Sequence, residues 1–379
     1  MKRCLSVLLT AVLVVMSLMG TAVTAFAGED APRASIVTSK SDREESQDTQ
    51  DTPAAPENDE TEYIVIDEAA AYTTPENENP LNGLNDLDES AIGKRPVAVM
   101  INNHPNALPQ YNISKADLLF EVVVEHGYSR HMALFADYRN VPYLVSVRSY
   151  RYYFPAISNG FDAFYIHWGE DQTMMWYYNE LGLDSYDGLS NTYLFGRDQG
   201  KIDAGYDLEH TSCFYGNLLP DQLSWDEKRT DLKEEYLGTA FKFVPYGTMR
   251  IPGNKKCSFM NIIFGDLQES QFVYDEDNGV YKKFNNGAAH VDGMTGDQLE
   301  FENVIVLYTL IADRDDEPEA DRKFIEVLPG LNADYAVGYY ASEGYVQKIR
   351  WGKEDEASRL MLFDNNGNEL ELNRGKTYI

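Results

Sequence analysis

Two Asn-Gly turns set between short apolar runs constrain this fold more than any other feature of the sequence. Asp277-Asn278-Gly279 separates Phe272-Val273-Tyr274 from Val280-Tyr281-Lys282, and Asn365-Asn366-Gly367 separates Met361-Leu362-Phe363 from Leu370-Glu371-Leu372. Asn-Gly accepts the positive φ angles of a tight hairpin, so both segments read as β-hairpins. The chain after about Leu237 is therefore expected to be hairpin-rich β structure. Earlier, Val97 to Ile101 reads as a buried strand running into the loop Asn102-Asn103. Leu118 to Glu125 and Arg130 to Ala136 read as strands joined by the turn Glu125-His126-Gly127-Tyr128. Tyr143 to Val147 and Ala163 to His167 are further strands. Arg148-Ser149-Tyr150-Arg151 reads as a helix start with Ser149 as its cap. Gly169-Glu170-Asp171 opens an amphipathic helix to about Leu181, with acids placed to suit its dipole. Strand, helix, strand, helix implies a βαβ unit. The fold class is α/β to α+β: a βαβ-containing N-terminal half and a hairpin-rich C-terminal β half, arranged as a layered α/β sandwich.

The organisation upstream is that of an exported chain. Met1-Lys2-Arg3 is a positive start, Leu5 to about Met19 is almost wholly apolar, and Ala25-Phe26-Ala27 offers small residues where a signal peptidase cuts. The apolar run, on the order of fifteen residues, is short for a bilayer span. Cys4 precedes that run, so it is not placed as the lipidated cysteine of a lipoprotein. Gly28 to Asn79 is rich in Glu, Asp, Thr, Ser, Pro and Asn, too polar to offset its conformational entropy by burial. Within it, Tyr63-Ile64-Val65-Ile66 is an island able to add as a strand. The expected parts are a signal peptide (1–27), an acidic disordered spacer (28–79), an α/β region (80–237) and a β-rich region (238–379).

Charge excludes some partners. The net charge is −30, whereas nucleic acids and anionic membranes are held by clustered Lys and Arg. The expectation is no nucleic-acid partner and no stable membrane insertion once the leader is removed. Two cysteines remain after cleavage, Cys213 and Cys257. A bridge between them would close a loop of about 44 residues, but a fold this large needs no staple. Both the bridged and the free states are open at this level. The six histidines show no H-x-H or H-E-x-x-H spacing, so no metal and no cofactor are expected. The Asp-rich segments at Asp275 and Asp364 lack the Gly and Glu of a calcium loop and read as hairpin turns. Asp313 to Asp321 reads as a solvated acidic loop.

Several longer stretches resemble the YerB-like lipoprotein family of Gram-positive bacteria. They are NPLNGL at Asn79, then RPVAVMINNHPNALPQ, KADLLFEVVVEHGYSRHMALF, VRSYRYYFPAI and FDAFYIHWG. In the C-terminal half they are YKKFNNGAAHVDGMTGDQLEFENVIV and YYASEGYVQKIRWGKEDEASRLMLFDNNGNELELNRGKTYI. The resemblance implies an exported, envelope-associated protein with a layered α/β fold. It implies no activity and no catalytic residues. The chain departs from the family in lacking the lipidated cysteine, in reading Glu125-His126-Gly127 at a glycine-rich turn, and in having Lys282-Lys283 where an Arg is usual.

Chemistry is expected at one edge. Arg148 and Arg151, spaced i, i+3 at a helix start, would offer two guanidinium forks to a phosphate or carboxylate. The alternative is that these arginines pair with Asp117, Glu121 or Glu125 of the same fold. His167 ends a strand, and parallel neighbouring strands would bring it beside Arg148 at their carboxyl ends, where open α/β sheets bind ligands. The candidate ligand-binding set is Arg148, Arg151, His167, Asp117, Glu121 and Arg130. Trp168, Trp176, Tyr177 and Tyr178 offer rings for stacking a sugar, although helical spacing commits about half of them to the core.

Three functions follow from this set. The first is an extracytoplasmic protein binding an anionic or glycan component of the envelope. The second is a phosphoryl or glycopolymer transferase faintly similar to the LytR–CpsA–Psr enzymes, with Asp117 as metal ligand or base. The third is a structural or protein-interaction module. The sequence alone leaves open whether the protein is an enzyme. The leader makes a definite prediction: the mature protein begins at Gly28 and is released from cells. N-terminal sequencing or intact mass of secreted material checks it, and retention of residues 1–27 or labelling by lipid precursors would contradict it.

Overall fold

Strands dominate the residues that the computed structural model describes, which are 33–37, 62–315 and 321–379. The leader, most of the spacer and the middle of the Asp313–Asp321 run lie outside the described residues. The N-terminal half holds β1 (Val97–Asn102), β2 (Leu118–Val123), β3 (Ser129–Phe135) and β4 (Tyr143–Val145). Helix α1 (Tyr153–Asn159), β5 (Phe164–His167), helix α2 (Met175–Leu181) and β6 (Ser185–Asp187) come next. They are followed by β7 (Phe195–Arg197) and β8 (Ser212–Tyr215). The C-terminal half holds β9 (Phe259–Gly265), β10 (Gln268–Asp275), β11 (Val280–Asn285) and β12 (Asn303–Leu307). It ends with β13 (Val337–Ser342), β14 (Tyr345–Gly352), β15 (Met361–Phe363) and β16 (Thr377–Tyr378). Shorter pieces are named by their residues.

One large mixed sheet runs through both halves, in the order β14, β13, β12, β16, β2, β3, β1, β5, β6. β16 lies between β2 and β12 and is parallel to both, so the last residues join the two halves into one sheet. Every residue of β1 and β3 is buried, which for β1 fits its near-continuous apolar run, since strands covered on both faces lose the polar alternation. A second sheet contains β9, β10 and β11. β10 and β11 form the hairpin expected around Asn278-Gly279. Its turn is held by the Asp275 carboxylate, which accepts from the Asp277 amide (3.2 Å) and from the Asn278 side chain (2.8 Å). The result is a mixed, strand-rich α+β fold with several sheets and few helices.

Three local expectations are corrected. Tyr143–Val145 joins no βαβ unit; it pairs antiparallel with β8 in a separate small sheet. The βαβ unit is formed instead by β5, α2 and β6, whose strands are parallel. No helix starts at Ser149, and α1 begins at Tyr153. The Arg148 amide donates to the Met100 carbonyl and the Arg148 carbonyl accepts from the Trp168 amide, so the backbone there is pinned between strands. The helix expected from Gly169 begins at Met175, after a 3-10 turn at Gln172–Met174. The side chain of Asp171 is occupied by Thr173 (2.8 Å) and Arg322. The stretch read as spacer also contributes structure. Arg33–Val37 runs antiparallel to β9, and Ile64–Val65 pairs with Thr248–Met249, the strand addition that the apolar island suggests.

The two sheets meet through a buried polar network around Glu121. Glu121 and His131 face each other across β2 and β3. The Glu121 carboxylate accepts from Ser129 (2.6 Å), Asn103 (3.0 Å), Ser270 (2.9 Å) and Tyr378 (2.9 Å). It lies 3.0 Å from His131 Nε2 and 3.2 Å from the Lys283 ammonium. Lys283 Nζ also donates to Ser270 (2.8 Å) and to His290 Nδ1 (3.2 Å), while His290 Nε2 donates to Gln110 (2.7 Å). Burial alone would raise the Glu121 carboxyl, but the Lys283 charge and His131 hold it well below the usual carboxylate range. Burial pushes both His131 and His290 down, the latter further because the Lys283 ammonium faces it. The network is thus one buried ion pair solvated by neutral donors and acceptors. A second join is purely backbone: a Cβ on Gly265 would lie 2.5 Å from the Gly127 Cα, so only glycine allows the two hairpin tips to touch.

Cys213 and Cys257 are buried and unbridged. Burial raises both thiols, Cys257 to about 11. Unfolding the mature protein without reductant should therefore expose two titratable thiols per chain, and fewer would reveal a bridge. The Glu121–Lys283 pair gives a second prediction. Glu121→Gln or Lys283→Met should each cost about 3–5 kcal/mol in denaturant unfolding, because each strands a buried charge. The double variant should lose clearly less than the sum; simple additivity would show that the two side chains do not depend on one another.

Candidate functional site

Alternation along β2 and β3 sends the predicted residues to different places. Val122 faces Arg130 in the register, and Glu121 faces His131. Successive strand residues point to opposite faces, so Glu121 enters the buried network while Arg130 emerges on the other face. Asp117 precedes β2 and lies about 16 Å along the strand from the Arg130 end. It accepts from the Asn79 (2.9 Å) and Asn82 (2.8 Å) amides and from the Ala136 N–H (2.8 Å). Burial pushes its carboxyl up to about 6, against those donors. Asp117 and Glu121 therefore stand apart from the arginines, and Glu125 is the acid that meets two of them.

Arg130 and Arg151 do come together, around Ser149, and the Arg148 charge is near enough to act on Arg130. Arg130 donates to the Ser149 carbonyl (2.7 Å) and hydroxyl (3.2 Å). Arg151 donates to the Tyr150 carbonyl (2.7 Å) and pairs with Glu125, whose other oxygen lies 3.6 Å from Arg130. Arg148 pairs with Glu209 at 2.7 Å, at a more open position: the Glu209 side chain is 54% exposed. Burial lowers Arg130 to about 9, and the charges of Arg151 and Arg148 add to that while Glu125 opposes it. Burial would raise Glu125, but Arg130 and Arg151 hold it low. The arrangement concentrates guanidinium charge against two carboxylates, one of them facing solvent.

His167 lies behind this rim. β4 and β5 are not paired, yet the Trp168 amide reaches the Arg148 carbonyl (3.1 Å), so the strand end and the arginine tract still meet. The imidazole is buried: Nδ1 lies 3.0 Å from the Gly169 carbonyl and Nε2 lies 3.3 Å from the Tyr178 hydroxyl. Tyr150 packs edge-on to the ring at 4.9 Å. Burial pushes His167 down to about 4, with Asp187 opposing only in part, so the ring is neutral. Of the aromatic group, Tyr178 stacks on Tyr150 in the core, Trp168 carries the Arg197 guanidinium at 4.3 Å, and Trp176 is exposed.

The rim includes residues that sequence reasoning passed over. His104 and His210 stack at 5.3 Å, and His104 lies 4.5 Å from the Tyr128 ring. His210 Nε2 is 3.7 Å from Glu209. Burial lowers both histidines, with the Arg148 charge adding to the effect. Glu209 and His210 carry no local signal, whereas His104 follows the β1 loop Asn102-Asn103 that ends at the same edge. Among the described residues no three His, Cys, Asp or Glu side chains gather as a metal ion would need. The chemistry available is anion binding through guanidinium and hydroxyl groups, with imidazoles alongside.

Residues 81–208 match the family described as "Protein of unknown function (DUF3048) N-terminal domain", and residues 260–379 match its C-terminal domain. The chain is 29% identical over 250 residues to the protein named "Putative lipoprotein YerB" of Bacillus subtilis (strain 168), covering 64% of this chain and 71% of the relative. The crystal structure of the YerB protein from Bacillus subtilis superimposes with a TM-score of 0.64 and 24% identity, over 79% of this chain and 94% of that one. Both halves thus match in sequence and in order, on the same fold, and the chain belongs to the YerB-like family.

Proposed function

We propose that the protein is an exported binding protein that holds an anionic component of the cell envelope, a phosphate- or carboxylate-bearing glycan, at the Arg130–Arg148–Arg151 rim. The observation that carries this reading is the meeting of the Arg130 and Arg151 guanidinium groups at Ser149, with the Arg148 charge near enough to act on Arg130, in a protein of net charge −30. Such a gathering of like charge is unfavourable unless an anion shares it. Glu125 offsets one of the two guanidinium charges in the buried part of the rim. Glu209, more than half exposed, pairs with Arg148 in water-facing surroundings where an ion pair is weak, and can give way to a ligand oxygen. Planar guanidinium forks suit phosphate and carboxylate groups because two N–H donors align with two oxygens. Export is supported by the leader-like start of the chain and by a relative named as a lipoprotein.

The rim yields contrasting outcomes for two substitutions. Arg148→Ala breaks an exposed pair and should change stability by less than about 1 kcal/mol. Arg130→Ala removes a buried guanidinium that holds Glu125 and the Ser149 backbone, and should cost about 3 kcal/mol or more. In thermal melts the parent protein should gain stability with inorganic phosphate, as expected when a ligand binds only the folded state. Arg148→Ala should melt at the same temperature without phosphate and lose that gain. A parent protein indifferent to both phosphate and purified phosphodiester-bearing wall polymer would rule the reading out.

A further inference from the structure

The small sheet brings a further cation to the outer end of the rim. Its order is β4, β8, β7, with β8 antiparallel to both neighbours. The carboxyl ends of β4 and β7 and the amino end of β8 therefore share one margin. Arg148 follows β4, Arg197 closes β7, and the turn Leu208–His210 leads into β8. Arg148 donates to the Glu209 carbonyl (3.4 Å) and Arg197 donates to the Leu208 carbonyl. Bonds to carbonyls of consecutive residues hold the two guanidinium groups side by side. Burial lowers Arg197, and the Arg148 charge adds to the effect.

The Glu209 carboxylate spans two donors at this margin. One oxygen is 2.7 Å from Arg148 and the other is 3.7 Å from His210 Nε2. The tautomer of His210 is fixed from behind. The His104 amide donates to Asn102 Oδ1 (3.0 Å), which turns Asn102 Nδ2 toward His210 Nδ1 (3.1 Å). Nδ1 therefore accepts, and the proton of the neutral ring sits on Nε2, toward Glu209. An arginine fork and an imidazole N–H served by one exposed carboxylate are the donors that a phosphoryl group would use in its place. Arg197 has no such internal stand-in. It is exposed, its guanidinium lies 4.3 Å from the centre of the Trp168 ring, and among the described residues no carboxylate pairs with it. This occurs in a chain with 62 Asp and Glu against 32 Lys and Arg. The indole sets the plane of the guanidinium, so the donors not used by Leu208 are presented in a fixed orientation.

We propose that this margin holds two phosphoryl groups joined by a short link, the first displacing Glu209 from Arg148 and His210 and the second bound by Arg197 over Trp168. Recognition of this kind rests on the anion-binding reading of the rim and narrows its ligand to one with phosphoryl groups in series. A single phosphate engages one of the two neighbouring guanidinium groups. A linked pair engages both for one loss of translational freedom.

Titration calorimetry of the whole mature protein at fixed ionic strength tests this with inorganic phosphate, pyrophosphate and a glycerol phosphate dimer joined by a phosphodiester. One linked ligand at least should bind about tenfold or more tighter than phosphate. Which of them does so tells directly joined phosphoryl groups from a phosphodiester chain. Arg197→Ala should cut the preference to about threefold or less. Arg197→Gln keeps a donor for the Leu208 carbonyl, should show the same loss, and serves if the alanine variant fails to fold. Lys255→Ala removes a charge beside β14, at the opposite margin of the large sheet, and should leave the preference as in the parent. Glu209→Gln should tighten phosphate binding by about threefold or more, because the internal competitor has lost its charge. Two-phosphoryl recognition is overturned if phosphate binds and neither linked ligand is preferred, or if the Arg197 variants keep the preference. It is equally overturned if Lys255→Ala loses as much, which is bulk charge alone, or if Glu209→Gln leaves phosphate affinity unchanged. Failure of all three ligands to bind the parent would overturn the rim reading along with it.

Discussion

The buried Glu121 carboxylate is the interaction around which the two halves are organised. An unpaired charge at that depth would cost several kcal/mol, so its partners have to be brought together for the fold to form. They come from distant places: His131 across the hairpin, Ser270 and Lys283 from the second sheet, and Tyr378 from the last strand. The ion pair thereby makes the β9–β11 sheet, the β2–β3 hairpin and β16 mutually dependent. Packed apolar residues would hold two sheets together as strongly. They would not specify which Lys meets which Glu, and hence which register the two sheets adopt.

The same two strands carry a second and opposite electrostatic arrangement. One residue along, alternation turns Val122 and Arg130 to the far face, where positive charge predominates. The Glu121 face has its charges balanced and its histidines neutral, which leaves it chemically quiet. The Arg130 face has its last arginine, Arg148, paired with a solvent-facing carboxylate. That contrast separates structural from ligand-binding polar residues more clearly than burial does.

Much of the strand content was legible because strands buried on both faces, such as Val97–Asn102, read as unbroken apolar runs, and because Asn278-Gly279 leaves the backbone few choices. The β2–β3 hairpin was legible from its two β-rich runs and the glycine-bearing turn between them. What could not be read was pairing between residues far apart in sequence. Tyr143–Val145 has the composition of any strand, and only Cys213–Tyr215 decides its sheet. The tract Arg148–Arg151 has a capping serine, but the Met100 carbonyl and Trp168 amide claim its backbone first. The grouping of Arg148 with Arg151 was legible from spacing, although the helix invoked for it is absent. Lys283 sits at an inward position of β11. A lysine there signals a buried acid, but nothing local names Glu121. Glu209 is likewise invisible beside Arg148, sixty-one residues away.

The position of β16 bears on how this protein can be divided. A boundary near residue 237 looks natural from the change in pattern, and the two family matches fall on either side of it. Yet a fragment ending there would lose the strand that covers β2, and the complementary fragment would lose the strand's neighbour on the other side. Each piece would carry a raw sheet margin rich in Val, Ile and Phe, the kind of surface that recruits further chains edge to edge. Neither half is therefore suited to separate expression, and the two matched regions are best regarded as one folding unit that happens to be recognisable in two parts.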